Sequence, residues 1–575
     1  MIKILTNPND SRYIFIVSDN NSAVDHKHIA ELEKHMNPYL QYTLLSTSKI
    51  PPTREIFLDK FQRDGKWIYW CSAGLWKEVC DFLRSLNVPF DASALNNAFK
   101  LTSFDLSIEQ FTELVHSWNL NLEPRDYQIE AAWKILHYRL SLSELCTRSG
   151  KTLIFYMVAR TAKELLGVKN ILMIVPSVHL VKQGVADLKE YKEYFGIEQI
   201  WAGGEEVQCS DLTIGTFQSL IRKADKRYKG YDPGFFDKYD LVCVDEAHRT
   251  PCKSIKTILA LDAFKNVKLR YGFTGTLPKP KTIEWMACQA ILGPKIQEIT
   301  ARELIEEGFL ADPIIQQHRI IYDSSTLTDS VIRCGEYLLS NYIKDEHGKQ
   351  VLLPKEQREM TMCHQKTLPT AMRIAKERLV PTEYERHIID ACAKSSKTLV
   401  LEQMMAMFSQ PKVELMDKLI SEMDKNVIVF AHNVEYINYL HKHFSEQFPN
   451  RTTIKVSGST SIKKRQAAID AMMEDNNVIV VASFGVFGTG LTVKNVDYGI
   501  FAQSFKADTI TRQSLGRLML RTKDKTEFYL YDLIDVFPTK KLYKQGTAKI
   551  QIYKGEGHQH EIITHQKKFK TLTDI

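Results

Sequence analysis

Apolar and polar positions along this chain follow two different patterns. In the first, short runs such as Tyr13 to Val17 and Trp67 to Trp70 read as strands, while Leu75, Val79, Phe82, Leu83 and Leu86 recur at helical spacing. This texture predicts a small α+β domain over residues 1–120. The second pattern starts near Leu122, with continuous apolar runs at Ile171 to Val175, Leu212 to Ile214, Leu241 to Val244 and Leu269 to Phe273, separated by helix-length polar stretches. Uninterrupted apolar strands alternating with helices are what parallel strands buried on both faces require. An α/β domain is therefore predicted over 121–300. The pattern resumes at Val427 to Phe430, Thr453 to Val456, Val478 to Ala482, Tyr498 to Phe501 and Phe528 to Tyr531, predicting a second α/β domain over 425–540. Residues 301–424 predict the start of that domain plus a helical insertion, because so long a connection carries structure of its own.

Composition narrows the class without changing the pattern. A chain of 575 residues with 44% hydrophobic and 25% charged positions has enough apolar side chains for several cores, which excludes fibrous and disordered classes. No apolar run reaches membrane-spanning length, and the N-terminus turns polar within a few residues, which argues against a signal peptide. Ten cysteines without a Cys-x-x-Cys pair signal neither a zinc ribbon nor a disulfide framework, and they suit a reducing cytoplasm. The net charge of +7 permits an anionic partner. Much of the excess lies at the end, where eight lysines face three acids from Pro538 onward, so residues 541–575 read as a basic tail.

Three local patterns carry chemistry. Ser149-Gly150-Lys151-Thr152 opens an apolar helix after the strand Leu140 to Glu144. In a strand–loop–helix setting, Thr147, Arg148, Ser149 and Gly150 wrap a phosphate with backbone N–H groups. The Lys151 ammonium then meets the β/γ oxygens, and the Thr152 hydroxyl meets Mg²⁺. Leu145 stands where the phosphate-loop pattern usually has its first glycine. The second pattern, Leu241 to Val244 followed by Asp245-Glu246-Ala247-His248, ends a strand in two acids. Asp245 suits a magnesium ion, and Glu246 suits orientation and deprotonation of an attacking water. The third, Gln513-Ser514-Leu515-Gly516-Arg517-Leu518-Met519-Leu520-Arg521, offers arginines to neutralise charge growing on a γ-phosphate, Arg517 first and Arg521 second. Together these patterns indicate a nucleoside triphosphatase.

With further segments in order, the chain resembles the superfamily-2 helicases. Glu123-Pro124-Arg125-Asp126-Tyr127-Gln128 looks like their adenine-reading segment, with Arg125 and Gln128 as nucleotide contacts. Val175 to Gln183 and Gly215 to Leu220 resemble their nucleic-acid contacts, here Pro176, Ser177, Thr216 and Gln218. Thr274-Gly275-Thr276 matches the motif that couples hydrolysis to domain movement. Val427 to Asn433, Val456-Ser457-Gly458 and Ser483 through Gly490 follow, implying Asn433, Ser457 and Ser483 at nucleic acid and Gly490 at the nucleotide. Val481 to Thr492 and Tyr531-Asp532-Leu533-Ile534-Asp535 look most like phage recombination helicases related to XPB and RecG.

The resemblance implies two RecA-like parallel-sheet domains behind a small α+β DNA-binding domain. It implies ATP and Mg²⁺ as cofactors, and single-stranded or branched DNA gripped without sequence preference as partner. The implied activity is ATP-driven remodelling of forks and recombination intermediates by a monomer in the host cytoplasm. An RNA helicase acting on RNA or R-loops, and an ATP-gated clamp with little turnover, are the alternatives. Trp67, Tyr69, Trp70 and Trp76 beside Arg63, Lys66 and Lys77 are the expected N-terminal DNA contacts. Since all nucleotide-site residues lie beyond Glu123, deletion of residues 1–120 is expected to spare basal ATPase.

Overall fold

The computed structural model describes residues 1–19, 22–37, 56–201, 210–267, 269–322, 409–458, 460–484, 495–505, 508–522, 525–537 and 540–566, with a few positions between 342 and 407. The chain divides into two compact units, Met1–Thr300 and Ala301–Ile575.

The first unit opens with β1 (Ile2–Thr6), β2 (Tyr13–Ser18), β3 (Leu58–Arg63), β4 (Lys66–Ser72) and β5 (Phe90–Asp91), in a sheet ordered β3-β4-β2-β1-β5. Strand alternation sends Ile2, Ile4, Ile14 and Ile16 to one face. There they pack against Ile29 and Leu32 of α1 (Ala23–Met36) and Val79 and Leu83 of α2 (Trp76–Ser85). The same core takes in Leu140, Met286 and Ala287 from the following domain. Backbone meets backbone at Gly74, where a Cβ would sit 1.9 Å from the Gln289 carbonyl oxygen. Arg12 Nη1 donates to the carbonyls of Ala260 at 2.6 Å and Leu261 at 3.0 Å. The N-terminal sheet is thus built into the first unit. Deletion of residues 1–120 would therefore strip one side of a shared core.

The rest of this unit is a seven-stranded parallel sheet, β6 (Leu140–Leu145), β7 (Ile171–Val175), β8 (Ile197–Ile200), β9 (Leu212–Thr216), β10 (Leu241–Asp245), β11 (Leu269–Thr274) and β12 (Lys295–Ile299). The order is β12-β6-β11-β10-β7-β9-β8. Helices α3 (Asp126–Leu136), α4 (Lys151–Leu165), α5 (Val178–Tyr191) and α6 (Ile283–Leu292) flank it.

The second unit holds β13 (Asp312–Ile321), an antiparallel pair β14 (Tyr342–Lys344) and β15 (Gln350–Leu352), then α7 (Gln410–Ser421). The expected helical insertion falls mostly outside the described residues. Strands β16 (Val427–Ala431), β17 (Thr452–Val456), β18 (Val478–Ser483), β19 (Tyr498–Phe501), β20 (Glu527–Val536) and β21 (Gln559–Gln566) join β13 in a second seven-stranded sheet, ordered β17-β18-β16-β19-β20-β13-β21. All its pairings are parallel. Two helices in this region are α8 (Asp508–Leu518) and α9 (Lys541–Gly555).

The second sheet corrects the reading of residues 541–575 as a basic tail, because residues 541–566 form α9 and the edge strand β21. Leu542 and Tyr553 of α9 are buried, and so is one of its lysines: Lys549 pairs with Asp532 of β20. On the neighbouring odd register, Lys412 of α7 pairs with Asp535 at 2.8 Å, both fully buried. Asp532 and Asp535 lie an odd number of residues apart and so face opposite sides of the sheet, and each holds one helix. The Tyr553 hydroxyl donates to Asp532 at 3.0 Å and the Tyr322 hydroxyl to Asp535 at 2.8 Å, which satisfies the carboxylates further.

Candidate active site

Because the strands of the first sheet are parallel, five sequence motifs reach one edge. Across the sheet, β6 ends in the phosphate loop, β11 in Thr274-Gly275-Thr276, β10 in Asp245-Glu246, β7 in Pro176-Ser177 and β9 in Thr216. Ligands of open α/β sheets bind at such carboxyl ends.

The loop is held by backbone geometry. Arg148 and Gly150 both take left-handed φ, 72° and 81°, and Gly150 caps α4. A Cβ on Gly150 would come within 2.1 Å of Gln128 Nε2, so glycine is required there by conformation and by space. Leu145 is a fully buried strand residue paired with Ile299, which explains why the first loop glycine is dispensable. Gln128 braces the loop: its Nε2 donates to the Ser149 carbonyl at 2.9 Å, and its Oε1 accepts from Arg125 N at 3.0 Å. The Tyr127 hydroxyl donates to the same Ser149 carbonyl at 3.1 Å, and Arg125 Nη1 donates to that hydroxyl at 3.3 Å. Both ends of the Gln128 amide are therefore engaged by backbone in this structure.

Lys151 Nζ donates to the Leu145 carbonyl at 3.3 Å and lies close to Gly275, which puts the ammonium between the loop and the β11 end. The Thr152 hydroxyl faces Asp187 and Tyr191 of α5 and favours their charged forms. Burial, aided by Glu190, pushes the Asp187 carboxyl up to about 6. Burial is also the main cause that pushes Asp245 up to about 6. Glu246 adds to that push, and Lys151 and His248 oppose it. The desolvated Asp245 carboxylate at the end of β10 and the Thr152 hydroxyl at the start of α4 are hard oxygen donors of the kind Mg²⁺ takes. The buried Ser149 hydroxyl, which has no hydrogen-bond partner, adds a polar atom to the loop.

Glu246 departs from the strand with φ 52° and ψ 51°, left-handed for a residue with a Cβ. Its N–H donates to Asp245 Oδ1 at 2.9 Å. Its carboxylate lies 3.3 Å from His248 Nδ1, which is 2.9 Å from Thr274 Oγ1. The Thr274 hydroxyl donates to the Thr276 carbonyl at 3.0 Å, which leaves its oxygen as acceptor and makes Nδ1 of His248 the protonated nitrogen. His248 Nδ1 thus stands between the acid that would handle water and the Thr-Gly-Thr turn. His248, Thr274, Tyr127 and Asp187 were not among the expected site residues; the motifs contained the first three, and no local pattern marks Asp187.

The motifs expected to contact nucleic acid occupy the other half of the same edge. Ser177 and Thr216 cap their helices, accepting from Leu180 N at 3.4 Å and Ser219 N at 3.3 Å, and Gln218 Nε2 donates to the Pro176 carbonyl at 3.2 Å. These residues therefore bring two helix N-termini together, where backbone N–H groups suit phosphate.

In the second unit, Asn433, Ser457 and Ser483 stand at the ends of β16, β17 and β18. Gln503 Oε1 accepts from the backbone of His432 at 2.6 Å and Asn433 at 3.1 Å, fixing that loop. Arg465 Nη2 donates to the Gly458 carbonyl at 2.9 Å. Gln513 and Arg517 lie on α8, Arg517 in its last turn and half-buried. Arg512 of the same helix pairs with Glu556 at the end of α9. Arg521 is not on that helix. The helix stops at Leu518, Leu520 bridges to Leu310, and the exposed Arg521 guanidinium lies beside Gly308. Gly490 lies outside the described residues. Among the described residues no cluster of three or more His, Cys, Asp or Glu side chains is placed to hold a metal.

The N-terminal aromatics separate by face. Tyr69 is core at 6% exposure, and Trp76 stacks on Phe99 at 5.9 Å. Trp67 shares the face of Tyr69 and has Lys60 over its ring at 5.8 Å, while Trp70 points the other way.

Residues 121–279 match the family described as type III restriction enzyme, res subunit, and residues 411–520 match the helicase conserved C-terminal domain. The ATP-dependent DNA helicase uvsW of Enterobacteria phage T4 is 24% identical over 470 residues, spanning 78% of this chain and 79% of that protein. A crystal structure of T4 UvsW is 19% identical, covering 98% of this chain and 99% of that one with a TM-score of 0.39. The ATP-dependent restriction-modification enzyme LlaBIII, solved bound to DNA, is 13% identical over 78% of this chain and 32% of its own, with a TM-score of 0.50.

Proposed function

We propose that this chain, an ATP-hydrolysing helicase resembling the superfamily-2 enzyme UvsW, couples ATP hydrolysis to movement on DNA and remodels branched DNA such as forks. The observation that carries this reading is the shared sheet edge. The hydrolytic motifs end β6, β11 and β10, and the phosphate-gripping motifs end β7 and β9, so one rigid sheet serves both ligands. DNA rather than another polymer is supported by the name of the phage T4 relative.

In this reading Lys151 and the loop N–H groups bind the β- and γ-phosphates, and Glu246 orients the attacking water and takes its proton. Thr152 and Asp245 would hold Mg²⁺, which neutralises phosphate charge when bound. His248 holds the Glu246 carboxylate and passes its position to Thr274, which links the acid to the turn between the nucleotide and nucleic-acid halves. Arg517 supplies the cation that meets charge growing on the γ-phosphate. The second-unit residues Asn433, Ser457 and Ser483 would contact the DNA backbone with Pro176, Ser177, Thr216 and Gln218, making binding independent of sequence.

Steady-state ATPase measured without nucleic acid, with forked DNA and with single-stranded RNA tests the proposal, together with strand separation on the fork. Stimulation by the fork accompanied by ATP-dependent unwinding is expected. Stronger stimulation by RNA would move the substrate to RNA, and tight ATP-dependent binding without turnover would make the protein a clamp.

A further inference from the structure

Among the described residues, the outer face of the N-terminal sheet carries a row of incompletely buried rings. Tyr13 and Phe15 on β2, Phe61 on β3 and Trp70 on β4 all fall on the alternation opposite to the core, and none is fully buried. Phe15 and Trp70 are directly opposed across the strands. Tyr13 meets Trp70 edge-on at 5.1 Å, and Phe15 meets Phe61 at 6.2 Å. Phe61 keeps 40% of its surface exposed. A contiguous apolar patch at a sheet surface marks an interaction site more often than it marks a core.

The charges beside it point to an anion. Asp64 and Gly65 both take left-handed φ, 50° and 73°, and close β3 onto β4 in a tight turn. That turn sets Arg63 directly opposite Lys66, and both are exposed. Like charges opposed across strands destabilise a hairpin, so the pairing is a cost that a phosphate would relieve. Asp64 reaches Arg63 at 3.8 Å from a fully solvated position, and Asp59 lies on the same face, while Lys3 is tied to Asp19 at 2.8 Å. Exposed cations, Arg63 beside Asp64 among them, thus stand at the hairpin tip, and the rings lie behind it.

We propose that this face is a stacking platform for unpaired bases of single-stranded DNA, with the rings taking bases and Arg63 and Lys66 taking the flanking phosphates. It rests on the reading of the chain as a DNA helicase and gives the N-terminal sheet a specific substrate, the unpaired arm of a branch. Aromatic side chains on an open antiparallel sheet stack splayed bases without strong sequence preference. The motor motifs are read as gripping phosphates, so among the described residues a demand for bases would point to this face. Because the sheet shares a core with the first parallel sheet, a strand held here is held by the body that carries the phosphate loop.

The experiment uses the full-length protein and fluorescence anisotropy with a labelled oligothymidylate and an abasic strand of equal length and charge. The wild type is expected to prefer the base-bearing strand. Phe61→Ala should weaken oligothymidylate binding roughly tenfold while leaving the abasic strand unaffected, and Phe61→Tyr should restore it. Phe61 is exposed, so the variant keeps its fold, which thermal unfolding checks; Trp70→Leu, which keeps apolar bulk without the indole, provides a second reading. Equal affinity of the wild type for both strands, or parallel loss on both in the variants, overturns the platform. So does preference for oligouridylate over oligothymidylate, or a dimer that Phe61→Ala dissolves. ATPase stimulation of the wild type by forked DNA is measured beside it, so failure of the helicase reading is seen separately.

Discussion

In the first parallel sheet the ionisable groups of the site follow the last residues of their strands; in the second, two carboxylates sit within a strand and are covered. Asp245 closes β10, Glu246 and His248 form the turn after it, and Lys151 opens α4, so all four stand at element ends, where burial shifts Asp245 away from its ordinary range. Asp532 and Asp535 lie inside β20, each matched by one lysine and one tyrosine from flanking elements, with no exposure left. Both regions contain buried charge, but only one can exchange partners. Location along the strand therefore separates charge at the candidate site from charge that fastens helices.

The difference can be broken at its strongest point first. Lys151→Ala and Glu246→Gln should each remove measurable steady-state ATP hydrolysis while leaving thermal stability near that of the wild type. They should differ in binding, since Glu246→Gln keeps the loop that holds ATP and Lys151→Ala does not. Arg517→Ala should lower kcat on the order of 10³-fold with little change in ATP affinity. Arg521→Ala should barely alter kcat, because Arg521 is exposed and off the helix; the reverse ranking would reassign the motif.

Asp532→Ala should do the opposite to the site variants. It leaves Lys549 buried without its counter-ion, at a cost of about 3–5 kcal/mol in chemical denaturation of the second unit. The paired replacement of Asp532 and Lys549 by apolar residues should recover most of that loss. A smaller loss is expected for His248→Ala, which removes one link to Thr274: about a tenfold fall in nucleic-acid-stimulated kcat, in line with the loss of a hydrogen bond of about 1.4 kcal/mol.

Much of this arrangement is legible in the sequence where signals are local. Apolar strands alternating with helices announce two parallel sheets, and Gly150-Lys151-Thr152 and Asp245-Glu246 mark their strand ends unaided. Long-range partners are what the sequence hides. Eight lysines near the end resemble a solvated tail until Asp532 of a neighbouring strand is seen to bury one of them. Arg521 reads as the next helical arginine unless Leu310, some two hundred residues earlier, is known to bridge Leu520. Gln128 is recognisable as a motif residue, yet its partner is the backbone carbonyl of Ser149, and no side-chain identity records a carbonyl. Alternation shows that Tyr69 and Trp70 face opposite ways, but only the docking of α1 and α2 decides which face is core.

The left-handed backbone at Glu246 has a consequence for how this protein would drift. Glycine or asparagine adopts that conformation at lower cost than glutamate, by a margin on the order of 1 kcal/mol. Selection for folding alone would therefore erode this acid, and only selection for turnover retains it. A lineage that kept the fold for binding but no longer needed hydrolysis should lose Glu246 early and gain stability as it did so, while Asp245, whose backbone is ordinary strand, would be under no such pressure.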